Sequence, residues 1–302
     1  MNRNLWWAVG AVLAALLLIW AFSSYAHAGT VRLCTGASDG NYAQAGDMIA
    51  KAKNSPSLTI QVVKDTGGTW GNIERTVSLD PSDPSACDAM IGQPDGPALL
   101  KREEPAKAAK LIKVGDLHRE YLHVLCNKEA DIGELEDLEG DSSYSVAVGA
   151  EGSGGWLVWQ NFIAEDSDYD AIVAKNIGGI DAVADVAFGG TTCMLVPAGL
   201  RNGTVLEAGR DFGDQVTLVQ AQDKDFNDAV AIDGKPLYTF SEIPGDAYEE
   251  SFTAGWGGAV DTISWRAEVY VNPDRVSAQD KSALIRAVAQ ARKQAIAAFG
   301  GE

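Results

Sequence analysis

Histidine is scarce in this 302-residue chain, with three copies, and cations are few: 24 Lys and Arg stand against 42 Asp and Glu, a formal charge of −18. A field of that sign repels nucleic acid and anionic lipid surfaces, which excludes polyanions as partners. Four cysteines, Cys34, Cys87, Cys126 and Cys193, lie far apart with no C-x-x-C pair, which argues against zinc or a dithiol redox site. Their even number allows two disulfides in three connectivities. Each also sits in an apolar, strand-like run where a buried thiol is equally at home, so pairing stays open. No residue pattern recurs at a period of 20 to 50, which excludes a solenoid.

What is present is an ordinary globular composition, 46 % apolar and 22 % charged, with one long apolar run from Leu5 to Phe22. Arg3 precedes that run and Ala26-His27-Ala28 follows it, the grammar of a secretory leader cleaved before Gly29. The alternative is an uncleaved membrane anchor, for which the run is long enough. Both readings place the body outside the cytoplasm, in the periplasm.

From Gly29 onward, short β-rich runs alternate with helical patterns: VRLC with YAQAGDMIAKAK, LTIQVV with GNIERTVSL, CDAMI with PALLKREEPAKAAK, and later SVAVG with GGWLVWQNFIA. Such alternation predicts βαβ units. Two sets of them, joined by the extended stretch LIKVGDLHREYLHVLCN, predict a two-lobed α/β fold. Each lobe is expected to hold a mixed, mainly parallel sheet flanked by helices, with hinge strands between. Residues 29–124 with 233–302 are expected to form lobe one and 125–232 lobe two. A last amphipathic helix is predicted over Ser277 to Phe299.

In open α/β sheets ligands bind beyond the carboxyl ends of strands, where glycines admit the backbone and helix N-termini offer unpaired N–H groups. Four Gly-rich junctions fit: Thr35–Tyr42, Thr66–Asn72, Gly92–Gly96 and Gly149–Trp156. The last fails three enzyme templates. It lacks the lysine of a P-loop and the spacing of a dinucleotide fingerprint, and Glu151 occupies the first glycine position of a nucleophile elbow around Ser153. His118 and His123 share one extended segment and read as structural. Asp166, Asp168 and Asp170 imitate a calcium loop but have Ala171 and Ile177 at the sixth and twelfth positions; Asp223, Asp225 and Asn227 fail likewise, with Asp228 and Gly234. Both runs are expected to be solvated turns, and no metal or cofactor is expected. Trp156, Trp159 and Phe162 read as the buried stripe of a helix.

These junctions resemble the TAXI family, the extracytoplasmic solute receptors of one branch of TRAP transporters. Thr35-Gly36-Ala37-Ser38-Asp39-Gly40-Asn41-Tyr42 is similar to the family opening T-G-G-x-x-G-x-Y, and Thr66-Gly67-Gly68-Thr69 with Asn72 to T-G-G-S-x-x-N. Asp88-Ala89 through Gln93, Val146 to Gly154, and Ile243 to Tyr248 resemble three further motifs in family order. Ala37 and Thr69 depart from it, as does Thr192-Cys193 where Asp-Ala is common. The resemblance implies a monomeric, hinged binding protein with a periplasmic-binding-protein-like fold. It would close on a small carboxylate or amino acid, glutamate-like, and hand it to TRAP permease subunits. The expected ligand-binding residues are Ser38, Asn41, Tyr42, Thr69 and Gln93 from lobe one and Ser153, Gly154 and Gly155 from lobe two. Catalysis is not expected. The rival readings are a membrane-tethered sensor or scaffold and, with Ser153 or an Asp as catalyst, an exported enzyme.

Overall fold

The computed structural model describes residues 29–52, 58–249, 252–253 and 258–300; the expected leader at 1–28 lies outside them. The chain runs β1 (Gly29–Cys34), α1 (Asn41–Ala52), β2 (Leu58–Val63), α2 (Gly68–Val77), β3 (Ala89–Gly92), α3 (Asp95–Glu103) and the short α4 (Pro105–Ala108). The long β4 (Ile112–Asn127) follows. After it come β5 (Ser145–Ala147), α5 (Gly154–Glu165), β6 (Val173–Lys175), α6 (Gly179–Ala187), β7 (Cys193–Ala198), α7 (Gly203–Phe212), β8 (Val216–Val219), β9 (Thr239–Ile243), β10 (Val260–Val271) and α8 (Ala278–Phe299). The pattern PALLKREEPAKAAK makes two helices rather than one. Pro105 disfavours helical geometry at Glu104, which sits at φ −134°, ψ 70°.

One ten-stranded mixed sheet results, in the order β2-β1-β3-β10-β4-β7-β5-β6, with β8 added to β4 and β9 to β10. The two ends are parallel: β1 pairs with β2 from Gly29↔Leu58 to Cys34↔Val63 and with β3, while β5 pairs with β6 and β7. They are the βαβ sets legible in the sequence. The middle is antiparallel and shared. The first part of β4 lies against β10, from Ile112↔Val271 to Glu120↔Trp265, and its last part against β7, from Tyr121↔Ala198 to Cys126↔Cys193. A strand of 16 residues spans about 50 Å, so β4 belongs to both halves, as a hinge strand should.

The core follows that division. Val31, Leu33, Ile91, Leu117, Val269 and the inner face of α8 form one cluster; Val124, Val146, Trp159, Phe162 and Phe226 form another. Trp159 and Phe162 are buried as expected, with Phe162 stacked on Phe226 at 3.9 Å. Ile243, Tyr248 and Val260, which fall in the stretch expected in lobe one, share an apolar cluster with Leu125, Ala147 and Val205. β9 pairs with the early part of β10, from Ile243↔Val260 to Thr239↔Ser264, which sets Ile243 beside Val260 in that cluster. In α8, Ala283, Leu284, Ala287, Val288, Ala291 and Ala295 are buried, and Ser277 caps the helix by accepting from the Asp280 N–H at 3.1 Å.

All four cysteines pair, Cys34 with Cys87 and Cys126 with Cys193, one bridge in each half. The first ties the end of β1 to the entry of β3; the second joins residues directly opposed on β4 and β7. Among the described residues no helix is long and apolar enough to cross a membrane.

Candidate functional site

The carboxyl ends of β1, β2 and β3 are pinned from within. The Gly36 N–H donates to Thr66 Oγ1 at 2.7 Å, the Thr66 hydroxyl donates to Asn72 Oδ1, and Asn72 Nδ2 donates to the Ile91 carbonyl at 2.8 Å. Thr66 and Asn72, read in the sequence as one Gly-rich junction, thus hold three loops in register. Gly67 and Gly68 follow each other at φ +88° and +75°, a backbone that L side chains rarely adopt. This tight turn delivers Thr69, whose Oγ1 accepts from the Gln93 N–H at 3.2 Å.

Across from these loops stands the N-terminus of α5, and between them lies a cavity of about 410 Å3. Asn41, Tyr42, Thr69 and Gln93 line it from the first half and Gly154 from the second. Five of the eight expected site residues therefore meet. The other three lie elsewhere. Ser38 is exposed outside the lining, its N–H bonded to Asp65 Oδ1 at 2.9 Å. Ser153 is the N-cap of α5: its Oγ donates to the Val148 carbonyl at 3.3 Å and accepts from the Trp156 N–H at 3.5 Å. Gly155 is buried where a Cβ would stand 2.7 Å from the Val148 carbonyl oxygen.

The two glycines of α5 thus have separate duties. A Cβ at Gly154 would stand 2.6 Å from Gln93 Oε1, the far end of a side chain that can move, whereas at Gly155 the obstacle is backbone. Gly155→Ala is expected to destabilise the fold by roughly 2 kcal/mol, with Gly154→Ala within about 0.5 kcal/mol of the parent, both measured by urea unfolding. Equal losses would contradict this division.

Several lining residues carried no sequence signal. Glu120 lies inside the long extended run, where a charge reads as a solvated edge; the structure puts it at the sheet's centre, 6 % exposed, on the cavity wall. Its Oε2 accepts from the Tyr42 hydroxyl at 2.8 Å and from Trp265 Nε1 at 3.0 Å. Tyr42 both packs on the first core and faces the cavity. Burial, and then the Glu120 charge, hold its phenol well above the usual range. Asn202, Pro197 and Ala198 complete the far wall, and Asp39, within the Thr35–Tyr42 junction legible in the sequence, the near one. Asn202 is fixed by its role as N-cap of α7, and its N–H donates to the Tyr248 hydroxyl at 3.3 Å. Tyr248 in turn lies 2.9 Å from His123 Nε2, while His123 Nδ1 sits 3.0 Å from the Val196 carbonyl. With Nδ1 donating, Nε2 accepts from the phenol, so His123 is a neutral structural residue. Burial pushes its pKa down to about 4.

The two halves touch around the cavity. Gln93 Nε2 donates to the Gly154 carbonyl at 3.0 Å, Trp70 meets Trp156 edge-on at 6.4 Å, and a Cβ at Gly68 would come within 3.8 Å of the Gly152 carbonyl. Beyond that contact Glu151 lines a second hollow with Trp70, Glu74 and Arg75 rather than the cavity itself. Behind Gln93, Asp95 is fully buried; its Oδ1 accepts from the Tyr238 hydroxyl, and burial pushes the carboxyl up to about 7. A larger hollow of about 550 Å3 lies under α8, lined by β4, β10 and that helix and remote from the Gly-rich loops.

The two acidic runs are brought together in space. Glu139, Asp166 and Asp223 have carboxylate oxygens within 4.8 Å of one another, and Asp223 is buried rather than solvated, accepting from the Tyr169 hydroxyl at 3.1 Å. Asp166 and Asp223 each accept from the N–H two residues on, at 2.9 Å, which accounts for their placement as caps of short 3-10 turns.

A family model described as NMT1-like matches residues 33–288. No curated protein matches the chain. Among solved structures, the periplasmic aliphatic sulphonate binding protein SsuA from Escherichia coli is similar at 14 % identity and a TM-score of 0.51, over 89 % of this chain and 77 % of that one. A structure described for glutathione import in Gram-positive bacteria via GshT and the cystine ABC importer TcyBC of Streptococcus mutans is similar at 11 % identity and a TM-score of 0.52, over 90 % and 95 %. A third, described as a periplasmic transporter, is similar at 13 % and 0.51, over 90 % and 86 %. At these identities the likeness shows a shared fold.

Proposed function

For a chain that belongs to the NMT1-like family, we propose the function of an extracytoplasmic solute receptor that takes one small polar molecule between its halves and presents it to a membrane permease. The observation that carries this reading is the 410 Å3 cavity lined from both halves, with two strands, β4 and β10, running through the join. A solute that touches both walls favours the closed form by its differential affinity for it. Asn41, Tyr42, Thr69, Gln93 and Gly154 are its contacts, joined by Glu120 and Asn202.

Further support comes from chemistry and likeness. Two disulfides fit an oxidising compartment, in keeping with export through residues 1–28 as leader or anchor. A sulphonate-binding protein and a glutathione-import structure share the fold. The motif order of the TAXI branch supports a TRAP-type permease as the partner. Ser153, the serine of the rival enzyme reading, has its Oγ committed to the Val148 carbonyl and the α5 cap.

Thermal-shift screening of residues 29–302 against amino acids and organic acids tests the reading. A solute at 100 times its dissociation constant is expected to add about 2.7 kcal/mol of stability. Turnover of a stabilising solute would favour an enzyme instead, and melting curves unmoved by the whole panel would favour a sensor that binds protein.

A further inference from the structure

The cavity wall carries charge of one sign. Its ionisable side chains of Asp/Glu, Lys/Arg and His type are Asp39 and Glu120; no lysine, arginine or histidine faces it among the described residues. Arg201, adjacent in the chain to the lining residue Asn202, lies outside the lining, its guanidinium 4.0 Å from Asp246. An anionic solute would therefore meet neutral donors and two carboxylates, without the bidentate arginine clamp that makes strong carboxylate or sulphonate sites.

Glu120 is the more telling of the two. Its Oε2 accepts from two neutral donors, Tyr42 and Trp265, which fixes the carboxylate plane. Its Oε1 has His118 Nε2 at 3.7 Å, too long for a hydrogen bond. A carboxylate this deeply placed, whose one ion-pair contact among the described residues is the buried His118 imidazole at 3.7 Å, carries a desolvation cost that an incoming positive group would further offset. Asp39, exposed at the near wall, lends a weaker, screened attraction. We infer that the solute carries an ammonium or guanidinium group and no net negative charge, with Glu120 as the cation's partner and Asp39 guiding its approach. This rests on the receptor reading and narrows it away from glutamate-like dicarboxylates. A carboxylate on a zwitterionic solute still has donors to meet at the first turn of α5, near Gly154.

Isothermal titration of the parent protein, Glu120→Gln and Asp39→Asn with arginine, putrescine, glutamate and succinate tests the assignment. In Glu120→Gln the amide oxygen could still accept from Tyr42 and Trp265, and urea unfolding checks that the fold is kept. Arginine or putrescine is expected to bind the parent, to lose at least tenfold in affinity with Glu120→Gln, and to lose two- to threefold with Asp39→Asn. Binding of glutamate or succinate in place of the cations overturns the charge assignment and leaves the receptor reading standing. Cation binding unchanged by Glu120→Gln overturns the role of Glu120. No heat from any of the four overturns both.

Discussion

Replacing Cys126 and Cys193 together by alanine is expected to lower the unfolding free energy by about 4 kcal/mol, with a similar loss for the Cys34 and Cys87 pair. The bridges close loops of 67 and 53 residues, and the chain-entropy estimate for loops of that length gives the figure. Each bridge staples one half without crossing to the other. Removal is therefore expected to weaken the fold while leaving solute affinity at low temperature near the parent value. Urea unfolding of the two double variants measures the effect, and a loss below about 1 kcal/mol would contradict the chain-entropy account and point to residual structure in the unfolded chain.

The second large effect is a cancellation in pH dependence. Asp95, at about 7 in the fold against a carboxyl's ordinary 3.8, keeps a proton that the unfolded chain has released, so its contribution falls as pH rises from about 4 to about 7. His123, at about 4 against 6.5, refuses a proton that the unfolded chain accepts, so its contribution falls as pH drops from 6.5 to about 4. The two slopes oppose each other over nearly the same window. In Asp95→Asn the histidine acts alone, and stability is expected to rise by about 3 kcal/mol relative to the parent between pH 4 and 6.5. Asparagine still accepts from Tyr238, and Asp95 Oδ2 has no partner to lose. The difference between the variant and parent profiles isolates the term, and parallel profiles would contradict it.

The sequence announced the architecture through periodicity, because parallel strands buried on both faces and their crossover helices leave strong local patterns. VRLC, LTIQVV and SVAVG fell where expected, and the loops after them converge on the cavity. What stayed hidden depends on partners distant in sequence. Ser153 and Asn202 both carry N-cap chemistry, and only the path of the chain makes one a structural cap and the other a wall of the cavity as well. Glu120 occupies an extended run whose pairing with β10 could not be inferred locally, and that pairing is what buries it. Ile243 and Val260 reach the cluster of Leu125 and Ala147 through the pairing of β9 with the early part of β10, a partner distant in sequence. Asp166 and Asp223, 57 positions apart in the chain, look like independent turns until the fold sets them side by side, with the Tyr169 hydroxyl donating to Asp223.

The direct test of a cleft that shuts on its solute is a distance between the halves. The four cysteines are all bridged, so Lys51→Cys in α1 and Asp181→Cys in α6, both exposed, provide the two thiols for spin labels. Double electron–electron resonance is then recorded without solute and with saturating arginine, putrescine or glutamate. One of them is expected to shift the distribution to a single shorter separation. A distribution identical with and without each solute would contradict closure of the halves around a guest.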